Sequence, residues 1–386
     1  MTLLYEAQID GPVTHAFIVG CGRYPYLQAN HAADRRAPVA GAIALANMLL
    51  EDRARLVAPL GSLEMLLSDP TVNDGSMDVG NVLGDEVLTT LVEPADEQHF
   101  RNRGDEWLGR IRPGDAVVFY FSGHGIADRQ GGAVGLLEDI KSKTNRPWAQ
   151  SFSASNLSQA LQTLNPASAW VFFDACQEIV AEFAGRLWEV KNIDLKEVSL
   201  ADITGDVCEP LALAGARTGH LAWAPVDFEP PFFTQVLLKG LSGCCVERTQ
   251  SHGWAVTGKM LLFGLRQLGE TMFDEIVVRP QPILPYSDIQ ALMTVAQPFM
   301  HLTVRSIPEI HLTQMASVQV KQQDLEIMSS VAAEFVWRVD INLEDRDLTV
   351  ECVCQEGAVP LAPQTFRQQA PSCLVTLRPA PAEDAA

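Results

Sequence analysis

Basic residues are scarce in this chain of 386 residues. Lysine and arginine number 28 against 48 aspartates and glutamates, which gives a formal net charge of −20 and an isoelectric point near 4.7. A field of that sign repels phosphate, so the composition argues against nucleic acid and anionic membranes as partners. The same composition is compatible with basic substrates and basic partners.

Long apolar runs and a disulfide framework are also absent. The longest near-apolar stretch, 37–50, is interrupted by Pro38, Gly41 and Asn47 and is too short to span a bilayer. The first 20 residues contain no basic segment followed by a small-residue cleavage site, so no secretory signal is predicted. Eight cysteines in a chain of this length fall below the density of disulfide-stabilised secreted domains. We therefore expect a cytoplasmic protein with free thiols.

Short apolar segments alternate with helical patterns in the first two thirds of the chain. Strands are predicted at 16–19, 116–121, 169–173 and 211–216. Helices are predicted at 40–56, 84–93, 153–164 (with Ser153 as N-cap), 232–241 and 256–268. Apolar strands separated by helices are typical of a parallel sheet covered on both faces. The predicted fold class is therefore α/β, with a mostly parallel sheet flanked by helices.

The pattern changes after the proline-rich stretch 279–285. Apolar and polar residues alternate over 335–343 and again over 348–354, on either side of the polar segment 344–347. Period-two alternation around a short polar connection predicts a β-hairpin with one buried face. We therefore predict two domains, 1–290 and a small β-rich C-terminal module, 291–386, whose role is unknown.

Two of the predicted strands lead to a reactive side chain. His124 lies three residues beyond Phe121, and Cys176 lies three residues beyond Phe173. If these strands are parallel neighbours, they lie ~4.8 Å apart and their carboxyl ends open onto one crevice. The helix after Ser153 supplies the crossover that parallel pairing requires. The interval between His124 and Cys176 therefore predicts that an imidazole lies beside a thiol.

This pair of side chains suits acyl transfer. A thiolate attacks acyl carbons readily, and a neighbouring imidazole can promote its formation or protonate the departing amine. Gly125 has no side chain to block its N–H from a developing oxyanion. With the N–H of Cys176 it would form a two-donor hole, typically worth ~3 kcal/mol per donor.

Both segments resemble the catalytic blocks of the caspase-like cysteine peptidases of clan CD, which include metacaspases and paracaspases. The likeness lies in 119–125 (FYFSGHG), in 174–176 (DAC) and in the interval of about 50 residues between His and Cys. Segments 214–219, 231–238 and 279–282 resemble the cleft strand and turn, the next helix start and the close of that domain. The resemblance covers roughly residues 12–290 and implies a caspase-like fold.

The resemblance also implies roles for individual residues. His124 is the general acid–base, Cys176 the nucleophile, and Gly125 with Cys176 the pair of oxyanion-hole donors. Asp174 lies in the pocket for the residue before the scissile bond, with Ser122 beside it and Ala216 on the cleft. Branches with an aspartate at this position cleave after Arg or Lys, and a buried carboxylate facing a guanidinium is a physical reason. No cofactor is expected.

Two positions depart from the family pattern. Metacaspase-like members carry a second pocket aspartate where this chain has Leu45. Gln177 and Glu178 replace the small residues that usually follow the nucleophile, which predicts a different loop shape. Glu178 is interpreted as a solvated acid in a first helical turn rather than as a charge at the cleft. Basic selectivity is still expected from Asp174.

Other polar residues are given no catalytic role. Cys352 and Cys354 share one strand face with no second Cys/His pair nearby, so no zinc site is predicted. Asp202 and Asp206 are interpreted as parts of a solvated loop, and the alternative drawn from the resemblance is calcium activation. His220 is interpreted as a turn residue rather than a substrate contact.

Three functions are compatible with these observations. The first is a cysteine endopeptidase of protein or peptide substrates, which the resemblance associates with regulated proteolysis, antiviral defence or cell death in bacteria. Its C-terminal module would control activation or partner choice, and self-cleavage would occur at Arg186, Lys191 or Lys196. The second is a binding or regulatory protein that uses the caspase-like fold as a scaffold and the module as its interaction part. The third is a Cys-dependent acyltransferase or amidase of small substrates.

Overall fold

The computed structural model describes most of the chain as two units. The described residues are 2–27, 33–72, 77–83, 87–128, 132–178, 193–196, 208–224, 229–273, 278–283, 291–323, 325–330, 335–344 and 346–380. The first unit consists of the described residues up to Leu238, Thr257–Leu262 and Val278–Thr294. The second unit consists of Lys239–Val256, the described residues from Phe263 to Phe273, and those from Val295 onward. The predicted boundary at residue 290 stays a prediction.

Helices and strands alternate through the first unit, and strands dominate the second. The strands are β1 (Leu3–Glu6), β2 (Thr14–Cys21), β3 (Leu60–Ser68), β4 (Met77–Asp78), β5 (Leu91–Val92), β6 (Ala116–Gly123), β7 (Gly125–Ala127), β8 (Ala133–Leu136), β9 (Ser151–Ser153), β10 (Ser168–Ala175), β11 (Leu211–Ala214), β12 (Glu247–Thr249), β13 (Gly253–Val256), β14 (Gln281–Pro282), β15 (Met293–Thr294), β16 (Phe299–Ser306), β17 (Met315–Gln322), β18 (Leu325–Ser330), β19 (Val336–Asn342), β20 (Asp347–Cys354), β21 (Gln364–Arg367) and β22 (Ser372–Leu377). The α-helices are α1 (Ala37–Glu51), α2 (Gly80–Leu83), α3 (Glu97–Arg110), α4 (Ala154–Leu164), α5 (Phe232–Lys239) and α6 (Gly258–Thr271).

Seven strands form the central sheet of the first unit, in the order β1-β3-β2-β6-β10-β11-β14. The five inner strands are parallel, and the two edge strands β1 and β14 run antiparallel to their neighbours. All residues of β2, β3, β10 and β11 are buried. Strands buried on both faces explain the uninterrupted apolar runs in the sequence. The predicted α/β class with a mostly parallel sheet is confirmed.

Helices cover both faces of this sheet. On one face, an aromatic cluster joins Phe119 of β6 to Phe100 and Trp107 of α3, with ring centroids 6.5 and 6.0 Å apart. On the other face, the hydroxyl of Tyr120 lies against Gly41 of α1, where an added Cβ would come within 2.6 Å of it. Successive strand residues point to opposite faces. Helix α1 therefore lies opposite α3.

The predicted helix at 84–93 is wrong in its described part. The helical turn α2 ends at Leu83, and Leu91–Val92 is a strand paired with Met77–Asp78. The Thr89 hydroxyl accepts a hydrogen bond from the Leu91 N–H, and a short β-ribbon forms there. By contrast, helix α4 begins where expected, because Ser153 accepts a hydrogen bond from the Asn156 N–H as its N-cap.

The second unit contains two β-sheets around a common core. One has the order β19-β16-β22 and the other β18-β17-β20-β21. Buried side chains from both sheets pack together, among them Leu302, Ile341 and Val375 with Val320 and Val350. The β-rich character predicted for the C-terminal region is confirmed.

The predicted hairpin in this region is wrong. Strands β19 and β20 exist, but β19 pairs with β16, whereas β20 pairs with β17 and β21. The buried side chain of Gln368 holds the connection between them. Its amide donates to the Asn342 carbonyl at 2.8 Å and accepts from the Glu344 N–H at 2.9 Å. The polar connection is therefore a crossover between sheets.

Within the described ranges, no helix combines the length and apolar character needed to cross a bilayer. All eight cysteines are described, and all are free thiols.

Candidate active site

Strands β6 and β10 are parallel neighbours, as predicted. Each residue of β10 pairs with the residue 52 positions earlier in β6, so that Asp174 faces Ser122 and Ala175 faces Gly123. The next residues along the two strands, His124 and Cys176, are also 52 positions apart. The register therefore carries the imidazole and the thiol to one edge of the sheet.

A cavity of about 390 Å3 opens at this edge. Four of the six predicted site residues line it: Ser122, His124, Asp174 and Cys176. The other two, Gly125 and Ala216, are buried beside the cavity-lining segments but do not line the cavity themselves. Among the described residues that line it, Asp174 is the only acid. Leu45 is fully buried in α1, so the helix adds no second carboxylate at that position.

A backbone carbonyl orients the imidazole of His124. Its Nε2 lies 2.6 Å from the carbonyl oxygen of Ala33. A carbonyl can only accept, so Nε2 carries the proton and Nδ1 of the neutral ring keeps a free lone pair. Burial lowers the pKa of His124, opposed by the hydrogen bond to Ala33. The ring is therefore a neutral base. Its orienting partner is a backbone carbonyl, which cannot be recognised from the residue type at position 33.

Tyr24 contacts both the backbone and the ring of His124, and it was not predicted from the sequence. Its Oη accepts a hydrogen bond from the His124 backbone N–H at 2.7 Å and donates one to the Leu136 carbonyl at 3.1 Å. The two rings pack with centroids 4.7 Å apart. Tyr24 is fully buried and also lines the cavity. It lies in none of the recognised motifs, so only the three-dimensional contacts reveal it.

Cys176 is partly buried at the cavity wall. Its Sγ accepts a hydrogen bond of 3.3 Å from the Ala222 N–H. Burial raises the pKa of the thiol, and the Ala222 hydrogen bond opposes that effect. Cys176 is therefore a thiol rather than a thiolate at neutral pH, and a thiol needs a base before it can act as a nucleophile.

Gly125 lies against the backbone of Cys176. A Cβ at this position would come within 2.6 Å of the Cys176 carbonyl oxygen and 2.8 Å of the Ala175 Cβ. Because backbone atoms cannot yield as a flexible side chain can, only glycine fits here. The donor role of Gly125 stays a prediction.

Asp174 is buried and lines the cavity. Its Oδ2 accepts hydrogen bonds from the N–H of Thr234 at 3.2 Å and from the Thr234 hydroxyl at 2.5 Å. Burial raises the pKa of this carboxyl to about 7, although both hydrogen bonds from Thr234 act in the opposite direction. Thr234 belongs to the helix-start segment noted in the sequence, but its contact with Asp174 was not predicted.

Gln177 ties the nucleophile to the next loop. Its side-chain amide donates to the Ala216 carbonyl at 2.6 Å, and its N–H donates to the His220 carbonyl at 3.0 Å. Glu178 is exposed and forms a β-bridge with Ile126, so it is not in a first helical turn as predicted. His220 is exposed and does not line the cavity. The residue after Cys176 therefore anchors this loop through two hydrogen bonds.

Several predicted positions lie elsewhere. Lys196 is exposed and donates to the Thr163 hydroxyl at 2.7 Å. Arg186, Lys191, Asp202 and Asp206 lie outside the described residues. In the described part of the chain, no group of three His, Cys, Asp or Glu side chains could hold a metal ion.

Comparison with known proteins places this site in context. Residues 13–260 match the caspase domain family. An uncharacterized protein of Sinorhizobium fredii, y4kE, is 34% identical over 230 residues, which are 58% of this chain and 62% of that protein. The chain therefore spans less than two thirds of that relative.

Two solved structures are also similar. The protein GSU0716 of Geobacter sulfurreducens is 13% identical with a TM-score of 0.41, over 70% of this chain and 92% of its own. Caspase-1 of Spodoptera frugiperda is 11% identical with a TM-score of 0.42, over 76% of this chain and 98% of its own.

Proposed function

The chain belongs to the caspase domain family, and on that premise we propose that it is a cysteine endopeptidase that hydrolyses peptide bonds after Arg or Lys. The observation that carries the proposal is that Cys176, His124 and Asp174 line one cavity. A nucleophile, a neutral base and a buried acid then meet a substrate at the same place. This combination suits acyl transfer next to a basic side chain.

His124 starts the reaction by accepting the thiol proton. Since Nε2 donates to the Ala33 carbonyl, Nδ1 is the atom that takes the proton from Cys176 Sγ. The sulfur then forms a bond to the carbonyl carbon of the substrate. The lowered pKa of His124 keeps the ring neutral before this step, and the raised pKa of Cys176 keeps the thiol protonated in the resting site.

The later steps return the site to its starting state. The protonated His124 gives its proton to the departing amine as the peptide C–N bond breaks, which leaves a thioester on Cys176. His124 then takes a proton from a water molecule while the water oxygen attacks the thioester carbon. The C–S bond breaks, the acid product leaves, and His124 returns the proton to the sulfur of Cys176. The backbone N–H groups of Gly125 and Cys176 are the proposed donors to the oxyanion in both halves.

Asp174 would select the residue before the scissile bond. It is 2% exposed, lines the cavity and pairs with Ser122 in the strand register. A basic side chain that enters the cavity brings the counter-charge that a buried carboxylate lacks. This electrostatic match supports Arg or Lys over neutral residues.

The setting of the activity is part of the proposal. Eight free thiols fit the reducing cytoplasm, where we place the protein. Its partners would be protein or peptide substrates, together with a regulator bound by the C-terminal module; nucleic acid and membranes are not expected. A role in regulated proteolysis, bacterial defence or cell death follows the family resemblance.

A positional peptide library tests the proposal directly. The purified full-length chain is compared with Cys176→Ala, with His124→Ala, and with Cys354→Ala as a control that removes an exposed thiol from the second unit. We expect cleavage after Arg or Lys by the wild type and by Cys354→Ala, and none by the other two variants.

The alternatives give different results. A binding protein would keep its cellular function in Cys176→Ala. An acyltransferase or amidase of small substrates would cleave no peptide in the library. Cleavage only after Asp or apolar residues would overturn the selection role of Asp174.

A further inference from the structure

The candidate specificity pocket offers a substrate one free carboxylate oxygen rather than two. Asp174 Oδ2 already accepts two hydrogen bonds from Thr234. Asp174 Oδ1 is buried and has no hydrogen-bond partner among the described residues. Asp174 lines the cavity and Thr234 does not. Oδ1 is therefore the oxygen left for a ligand.

Tyr120 keeps Thr234 in this arrangement. Its Oη lies 2.6 Å from Thr234 Oγ1. A hydroxyl has one proton, and Thr234 gives it to the carboxylate, so Tyr120 must be the donor to Thr234. Tyr120 is itself confined, because its Oη lies close against Gly41 of α1. All three side chains are buried, and the hydrogen-bond chain from Tyr120 through Thr234 prevents Asp174 from turning both oxygens toward the cavity.

Ser122 supplies a second acceptor in the same pocket. It pairs with Asp174 in the register of β6 and β10, and it lines the cavity. Its hydroxyl is buried without a hydrogen-bond partner in the part of the chain that the structure describes. Nearby parts of the cavity wall are apolar, with Ala37, Pro38 and Pro231. The pocket thus presents one carboxylate oxygen and one hydroxyl beside this apolar stretch of wall, and the basic side chain of Arg35 lines the same cavity.

Lysine and arginine differ in what they need from such a pocket. A guanidinium carries five N–H donors in a rigid planar fork and pairs best with both oxygens of a carboxylate. An ammonium is a compact charge with three donors that rotate to suit their acceptors. With Oδ2 occupied by Thr234, a buried guanidinium would leave more donors unpaired than an ammonium would, and unpaired buried donors are costly.

We infer that this pocket selects lysine over arginine before the scissile bond, and that Thr234 is the residue that determines the preference by occupying one oxygen of Asp174. The inference rests on the proposed function and narrows it. Thr234 acts here as a positioning residue, since it touches Asp174 and does not line the cavity.

The test compares two peptides that differ only in Lys or Arg before the cut. We expect the full-length wild type to favour Lys by about tenfold in kcat/KM, the factor typical of one charge-assisted hydrogen bond. Thr234→Val keeps the side-chain shape but removes the hydroxyl donor, so the ratio should fall toward one. Thr234→Ser restores the donor and should restore the ratio. Thr257→Val, a buried threonine that caps α6 instead, should leave the ratio unchanged.

The possible outcomes distinguish a failure of the lysine preference from a failure of the proposed peptidase function. Equal or better cleavage after Arg by the wild type, or an unchanged ratio in a folded Thr234→Val, overturns the inference alone. If melting curves show that Thr234→Val does not fold, the wild-type ratio decides. A wild type that cleaves after neither residue overturns the proposed function, and the inference with it.

Discussion

His124 Nε2 donates to the carbonyl oxygen of Ala33 at 2.6 Å, so a backbone group rather than an acidic side chain orients the candidate catalytic base. A carbonyl carries no net charge and does not stabilise a protonated imidazole as a carboxylate does. Burial lowers the pKa of His124 and outweighs the hydrogen bond to Ala33, which acts in the opposite direction, so the ring is neutral in the resting site. The position of the imidazole then depends on the groups that hydrogen-bond to the His124 backbone, and Tyr24 is one of them.

Tyr24→Phe tests that dependence. The change removes the oxygen that accepts the His124 N–H and leaves a buried donor unpaired. We expect a loss of about 1–3 kcal/mol in the free energy of unfolding, and a fall in kcat that exceeds any change in KM. Urea denaturation in a Cys176→Ala background gives the first quantity, and steady-state kinetics give the second.

Tyr26→Phe is the matched control for this change. It removes a phenolic hydroxyl from an exposed side chain two positions away, so both quantities should stay at their wild-type values. A Tyr24→Phe enzyme with wild-type kcat would show that Tyr24 only packs against His124.

Asp174→Asn should change stability and activity in opposite directions. The pKa of Asp174 is raised to about 7 by burial, whereas an unfolded chain ionises this carboxyl near 4. The stability linked to the protonated form is present below about pH 4 and is lost as the pH rises through about 7. The neutral amide avoids this loss, so Asp174→Asn should raise the free energy of unfolding at pH 8 by up to about 4 kcal/mol.

The same variant should lose cleavage after basic residues, because the counter-charge is gone. For the wild type, kcat/KM toward a basic substrate should rise as the pH increases through about 7, where Asp174 ionises. Chemical denaturation across a pH series checks the predicted stability, and pH–rate profiles check the predicted dependence of kcat/KM. A wild-type profile that is flat between about pH 6 and pH 8 contradicts the assignment.

Gly125→Ala should damage both folding and catalysis. The added methyl group would come within 2.6 Å of the Cys176 carbonyl oxygen, and the backbone around the nucleophile would have to move. Overpacking of this kind typically costs about 1–3 kcal/mol. We expect urea denaturation to show that loss of stability. We also expect kcat to fall at least tenfold, which corresponds to an activation free energy higher by about 1.4 kcal/mol.

Gly109→Ala is its control. Gly109 lies within α3, and an added Cβ there has no atom within 4 Å. Alanine favours a helix over glycine by roughly 0.5–1 kcal/mol, so this variant should be slightly more stable and fully active. If Gly125→Ala behaved like Gly109→Ala, the close approach to Cys176 would be refuted.

Gln368→Ala should weaken the second unit. Its side-chain amide donates to the Asn342 carbonyl at the end of β19 and accepts from the Glu344 N–H. Both hydrogen bonds are lost on substitution. Each of these two hydrogen bonds is typically worth about 0.5–1.5 kcal/mol, so their loss should lower the free energy of unfolding by about 1–3 kcal/mol. Gln369→Ala removes an exposed neighbour and should have no effect in the same denaturation experiment. Equal stabilities would show that Gln368 does not hold the crossover.

Local patterns in the sequence were enough for much of the central sheet. Strands buried on both faces need continuous apolar runs, so β2, β6 and β10 were recognisable before any tertiary contact was known. The N-cap Ser153 was recognisable because a cap satisfies an amide only three residues away. The wrong helix at 84–93 shows the limit, since a two-residue strand such as β5 carries almost no periodic signal.

Strand alternation identified β19 and β20 but not their partners. Period two shows which face of a strand is buried, whereas pairing depends on which other strand supplies the complementary edge. Here the complementary edges come from β16 for β19 and from β17 and β21 for β20, and the crossover brings the buried Gln368 to the Glu344 N–H, 24 positions away. A hairpin and a crossover have the same local pattern.

The sequence by itself determined the chemistry of the candidate site, because His124 and Cys176 follow two buried strands at an interval equal to the strand register. Only the tertiary structure decided how those groups are held. The partners of His124 and Asp174 come from positions that lie 91, 100 and 60 residues away, at Ala33, Tyr24 and Thr234. Hydrogen bonds over such distances arise from the packing of whole elements, and a carbonyl or a hydroxyl that makes one has no local signature.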